Sequence, residues 1–94
     1  MINHCHKRMI SHRDLKPANI LIDEKNRIKM IDFAFSIKQF SEKTKHISNC
    51  GTPTYMAPEV VKKVECSPKP TDIWSIGILI TKMLTGYIPF DGKP

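Results

Sequence analysis

Between Thr71 and Gly86 the chain spells a helix with almost no polar side to turn toward water. Ile73, Trp74, Ile76, Ile78, Leu79, Ile80, Met83 and Leu84 place apolar groups around most of its circumference, so it belongs in an interior. Thr71 supplies an N-cap oxygen, Asp72 suits the positive helix end, and Gly86 provides a C-terminal stop. Ser67-Pro68-Lys69-Pro70 has the composition of a linker leading into it. The helix is therefore expected over 71–85, and the rest of the fold must supply its cover. A chain of 94 residues buries a smaller share of its surface than a larger domain, so its stability alone is expected to be marginal.

The polar groups best suited to chemistry cluster earlier, from Ser11 to Ala34. Asp14, Lys16, Asn19 and Asp32 are separated there by short apolar runs. Ile20-Leu21-Ile22 predicts a brief strand, Asp23 to Arg27 a turn, and Ile28 to Ile31 the returning strand. A hairpin of that size brings Asn19 near Asp32. Two oxygen-bearing side chains so placed suit Mg²⁺, which needs only one or two carboxylates when phosphate oxygens fill other positions. Asp14 and Lys16 lie just upstream, one able to accept a proton and the other to neutralise phosphate charge.

The flanks are less eventful. Residues 1 to 8 are expected to be the end of a helix, and Met9-Ile10-Ser11 a short strand. His4, Cys5, His6 and His12 lack the paired spacing of a structural zinc site. From Phe35 to Met56 serines and threonines alternate with lysines and no period persists, which predicts a long loop. Pro58 suits the first turn of a helix running to about Lys63.

Composition excludes several classes. The net charge is +6, but the 15 lysines and arginines are scattered, with neither a basic helix nor interleaved aromatics, which argues against nucleic-acid binding. Cys5, Cys50 and Cys66 are odd in number and widely spaced, as reduced thiols of a cytoplasmic or nuclear protein would be. The longest apolar run, Ile76 to Ile80, is far too short for a bilayer, and the first residues lack the order of a signal peptide, so no membrane contact is expected.

Four separated motifs carry a family resemblance. His12-Arg13-Asp14-Leu15-Lys16-Pro17-Ala18-Asn19 resembles the protein-kinase catalytic loop, and Asp32-Phe33-Ala34 resembles its metal-binding Asp-Phe-Gly element. Gly51-Thr52-Pro53-Thr54-Tyr55-Met56-Ala57-Pro58-Glu59 is similar to the end of a serine/threonine-kinase activation segment. Asp72-Ile73-Trp74-Ser75-Ile76-Gly77 resembles the start of the central helix of the large lobe, and Thr85 to Gly92 continues the match. The wording is most like the calcium/calmodulin-dependent and AMP-activated kinase group. The resemblance implies an α+β fold: part of the large C-terminal lobe, mostly α, with a short β-hairpin beside the catalytic loop. It divides the chain into catalytic loop and hairpin (1–34), activation segment (35–59), and central helix with its following loop (60–94).

Roles follow by motif position. Asp14 would orient a substrate hydroxyl and accept its proton, and Lys16 would neutralise the migrating phosphoryl group of ATP. Asn19 and Asp32 would hold Mg²⁺, and Leu21 would form the floor beneath adenine. Arg13 would grip a phosphate added to the activation segment, with Ser48 as acceptor and Thr44 as a lesser candidate. Thr52 would tie the substrate-binding turn to Asp14. His6 stands where kinases carry a histidine at the end of the preceding helix.

The sequence also departs from the family. Ala34 replaces a glycine, and where a positive φ is needed alanine costs about 1 kcal/mol. Ala18 and Lys82 stand where kinases that prefer arginine carry glutamates, so that preference is expected to be weak. Glu59 has no downstream arginine partner within the 94 residues, and no GxGxxG loop occurs. The set amounts to the lower half of a phosphotransfer site, expected to be inactive alone and to need a missing N-lobe or another kinase chain as well as its protein substrate. The apolar helix would then expose faces that further helices normally cover. A kinase remnant acting as a non-catalytic protein-binding module is the alternative.

Overall fold

The β-hairpin forms where the local pattern puts it. In the computed structural model, which describes residues 1–90, β2 (Ile20–Ile22) pairs antiparallel with β3 (Ile28–Met30), with Ile20 opposite Met30 and Leu21 opposite Lys29. The turn between them is closed by Asp23. Its Oδ1 accepts the amides of Lys25 at 2.9 Å and Arg27 at 2.8 Å, and its Oδ2 accepts Arg27 Nε at 2.8 Å. The backbone bond from Arg27 is the foremost reason that the Asp23 carboxyl sits below the ordinary value of 3.8. A depressed folded-state pKa contributes stability above the unfolded value and loses it as pH falls through the folded one. The Arg27 amide resonance should therefore report a titration with its midpoint below 3.8. A midpoint at or above that value would contradict this account of the turn.

A second, non-local ladder lies beside it. After α1 (Ile2–Lys7), β1 (Ile10–Ser11) pairs antiparallel with β4 (Ile37–Lys38), and the Gln39 amide extends the ladder to Met9 O at 2.7 Å. The long loop expected over Phe35–Met56 is thus present, with short elements of its own. That segment holds β4, a backbone bridge from His46 to Cys66, and a 3₁₀ turn at Pro53–Tyr55. Two-residue strands whose partners lie far away in sequence leave no period to read.

Helix α2 (Pro58–Val61) begins at the expected proline and ends sooner than expected, as Lys63 turns left-handed at φ +56°. Helix α3 runs Pro68–Thr85, with Ser67 and not Thr71 at its N-cap. The supposed linker is its first turn, because amides at those positions have no partner inside the helix and prolines forfeit little there. Thr71 lies inside and donates to Pro68 O at 2.6 Å. Gly86 ends the helix at φ +81°, its amide bonded to Lys82 O. The Asp91-Gly92 end of the expected following loop lies outside the described residues.

The core sits on one side of α3, where Tyr55, Ile78 and Leu79 are buried with Ile20, Trp74 and Ile88 against them. Elsewhere the helix is open: Ile73 and Ile80 on the far side, and Met83 and Leu84 in its last turn, are 54%, 48%, 73% and 81% exposed. The exposed apolar faces expected of this helix within the 94 residues are thus present, and its burial is confined to one face. The outcome is an α+β arrangement of three helices and two small antiparallel sheets among the described residues.

Candidate active site

One carboxylate shapes the loop that carries Asp14. Asp72, in the first turns of α3, is 1% exposed. Its Oδ2 accepts His12 N at 2.8 Å and His6 Nε2 at 2.9 Å, and its Oδ1 accepts Arg13 N at 2.9 Å. Arg13 is held at φ +71°, a left-handed conformation that costs an ordinary residue free energy and persists only when its surroundings fix it. Asp72 supplies that fixing. The His12 ring reinforces it, since Nδ1 accepts the Asp14 amide at 3.1 Å, leaving Nε2–H to donate to Ile31 O at 2.8 Å.

Next to this kinked backbone, Asp14 is 8% exposed and its two oxygens are divided. Oδ1 accepts Thr52 Oγ1 at 2.9 Å. Oδ2 lies 3.4 Å from Asn19 Nδ2 and 4.0 Å from Lys16 Nζ. Asn19 sits at the end of the 3₁₀ turn Pro17–Asn19 that leads into β2, and its Nδ2 also donates to Asp14 O at 2.8 Å. With its nitrogen committed, Asn19 Oδ1 has no protein partner among the described hydrogen bonds. The structure thus gathers Asp14, Lys16, Asn19 and Thr52 into one cluster.

Asp32 follows β3, exposed, with Oδ1 only 3.4 Å from the Ala34 amide. The strain expected at Ala34 falls elsewhere: Asp32 takes the positive φ, +59°, and Ala34 is not in that region. The alanine is therefore accommodated without a left-handed backbone. Phe33 sets its ring edge-on to His12, centroids 4.7 Å apart. Leu21, on the hairpin, is 49% exposed. Asn19 Oδ1 and the Asp32 carboxylate are hard oxygen donors, which fit Mg²⁺ when phosphate oxygens complete its shell. Among the described residues, no group of three or more His, Cys, Asp or Glu side chains is placed to hold a metal.

Arg13 and Ser48 also meet. Arg13 Nε donates to Phe35 O at 2.7 Å and Nη1 to Ser48 Oγ at 3.3 Å. Ser48 is 4% exposed, so it is not the solvated loop serine its surroundings in sequence allow. Thr44 hydrogen-bonds Ser41 Oγ on the surface. Gly51 crosses Arg13 at φ +117°, where a Cβ would stand 3.1 Å from Arg13 O, so the residue is glycine for both reasons. Beneath lies a cavity of about 20 Å³ lined by Arg13, Asp14, Thr52, Asp72 and Ser75 among others. At its margin burial pushes the Tyr55 phenol up. Burial, then Glu59, push the Cys66 thiol up against a smaller opposing effect of Arg13. Neither group is thereby readied to ionise near neutrality.

Sequence reasoning missed Asp72 as an organiser, assigning it to the helix end. The available signal was a carboxylate on an otherwise apolar helix, which must find donors if buried.

Known proteins bear on this geometry. A family model described as protein kinase domain matches residues 1–94. CBL-interacting protein kinase 15 of Oryza sativa subsp. japonica is 41% identical over 93 residues, which cover 97% of this chain and 21% of that protein. Probable serine/threonine-protein kinase MARK-A of Dictyostelium discoideum is 43% identical over 91 residues, covering 97% and 8%. Ribosomal protein S6 kinase alpha-6 of Mus musculus is 47% identical over 92 residues, covering 98% and 12%. The chain thus spans about a fifth or less of the length of these relatives. Matched by that model from its first residue to its last, it belongs to the protein kinase domain family, and its relatives are serine/threonine kinases that include members of the calcium/calmodulin-dependent group.

Proposed function

We propose that this chain forms the phosphoacceptor side of a serine/threonine protein kinase site, transferring phosphate from ATP to hydroxyls of protein substrates. The observation that carries this reading is the Asp14 carboxylate, fixed by Thr52 on one oxygen and flanked by Asn19 and Lys16 on the other. The substrate oxygen bonds to the γ-phosphorus as the bond to the ADP oxygen breaks, and its proton passes to Asp14. Lys16, partly exposed, offsets charge on the moving phosphoryl group. Asn19 and Asp32 would hold Mg²⁺, whose charge would offset that of the phosphate oxygens. Leu21, half exposed on the hairpin, would lie under adenine. The opposite wall of the ATP site would come from an N-lobe or another kinase chain.

In this reading residues 1–34 are catalytic loop and metal-binding hairpin, 35–59 the activation segment, and 60–94 the central helix and following loop. Phosphate on Ser48 would give Arg13 a dianion in place of a neutral hydroxyl, a stronger tie between segment and loop. The three free cysteines suit a reducing compartment, cytoplasm or nucleus. Among the described residues no helix is long and apolar enough to cross a membrane.

The test is metal dependence. In the protein carrying this chain, Asp32→Asn should raise the Mg²⁺ concentration for half-maximal phosphate transfer by about tenfold or more, as loss of a ligand charge does. An unchanged Mg²⁺ profile would remove Asp32 from the metal site.

One observation favours the non-catalytic alternative: the apolar residues of α3 left open to water, beside a groove of about 390 Å³ lined by Trp74, Gly77, Ile78, Thr81, Pro89 and Phe90. A surface of that kind needs a cover. It is compatible with catalysis, because none of the residues lining the groove belongs to the set of Asp14, Lys16, Asn19 and Asp32.

A further inference from the structure

Asp72 and Ser75 stand three positions apart on α3 and so share a face. Each holds one of the two segments that meet at Asp14. Asp72 takes the amides of His12 and Arg13, just before Asp14. Ser75 is buried, and its Oγ donates to Tyr55 O at 2.7 Å, with a longer 3.2 Å approach to Thr71 O. Tyr55 closes the Pro53–Tyr55 turn, its amide bonded to Thr52 O at 2.9 Å. Thr52 Oγ1 then donates to Asp14 Oδ1 at 2.9 Å.

The serine does little for its own helix. Alanine is the better helix former, and a helical serine ordinarily satisfies itself on the carbonyl one turn back. Here that carbonyl, Thr71 O, takes the longer contact, and the shorter one crosses to another segment. Tyr55 itself is in the core against Ile78 and Leu79, so its carbonyl would lose a direct partner without Ser75.

We propose that Ser75 is a positioning residue for phosphoryl transfer, an inference that rests on the kinase reading above. Through the Tyr55 carbonyl it sets the position of the Pro53–Tyr55 turn, and through that turn the Thr52–Asp14 hydrogen bond. One face of one helix thereby fixes both sides of the proton acceptor.

The test measures transfer to a serine peptide by the protein carrying this chain, in four variants. Ser75→Ala should lower kcat about tenfold with KM for ATP unchanged, since a small misplacement of a reacting group is costly. Ser75→Thr should restore kcat, the hydroxyl being kept and the adjoining cavity of about 20 Å³ receiving the methyl. Because Ser75 acts through Thr52, Ser75→Ala should change kcat less than about twofold in a Thr52→Val background. A residue that merely stabilised the fold would lower kcat equally in both backgrounds. Amide exchange over residues 52–56 should rise in Ser75→Ala and return in Ser75→Thr.

An unchanged kcat in Ser75→Ala, additive losses with Thr52→Val, or no restoration by Ser75→Thr would each overturn the proposal while leaving the kinase reading intact. Absence of phosphate transfer by the unaltered protein would remove that reading and this inference with it.

Discussion

Asp72→Ala is expected to abolish the cooperative unfolding transition of this chain. The carboxylate is 1% exposed and satisfies three donors from the other end of the sequence. Without it the amides of His12 and Arg13 lose their acceptors inside the protein, and each such buried donor costs about 1–3 kcal/mol. The His6 contact goes as well, and Arg13 loses what holds its left-handed backbone at φ +71°. The sum, about 3–5 kcal/mol, is comparable to the whole stability of a domain this small. Asp72→Asn should be milder, because one oxygen remains to accept while the amide nitrogen faces a donor. Urea titration followed by circular dichroism checks both, and a wild-type midpoint for Asp72→Ala would refute the organising role of this residue.

The second large effect concerns chemistry and not stability. Asp14→Asn keeps the shape of the side chain, and its amide oxygen can still accept Thr52 Oγ1. What it removes is the basic oxygen facing Lys16 and Asn19. General base catalysis typically contributes 10²–10⁴-fold, so kcat for peptide phosphorylation should fall by roughly that range. Affinity for ATP should change little, because no contact proposed for the nucleotide involves Asp14. The Lys16 interaction contributes little to that expectation, being a 4.0 Å pair with its lysine partly exposed.

What could be read from the sequence was local. The hairpin at 20–30 combines β-branched strands with a turn whose Asp23 bonds residues two and four positions on, all inside one short window. The stop at Gly86 is likewise a property of one residue and its φ. Misreadings came where structure depends on distant partners. Ser67-Pro68-Lys69-Pro70 resembled a linker, yet proline is tolerated in a first helical turn, and the helix extends through it. Strand β4 exists because β1 is there to pair with it. Asp72 reaches across 60 positions to His12 and Ser75 across 20 to Tyr55, links that no periodicity encodes. At the site, motif position pointed to a tie between Thr52 and Asp14, and a hydrogen bond joins them. Motif order did not anticipate that Asp32, not Ala34, would carry the positive φ. Nor did it show that Ser48 would be buried against Arg13.

The central claim is that Asp14, as Thr52, Asn19 and Lys16 hold it, accepts the proton of a protein hydroxyl during phosphate transfer. It is tested most directly by single-turnover transfer from ATP·Mg²⁺ to a serine peptide, comparing the protein carrying this chain with its Asp14→Asn variant at saturating nucleotide. The account predicts a transfer rate lower by about 10²–10⁴-fold in the variant, with nucleotide binding preserved. Equal rates in the two proteins would contradict it.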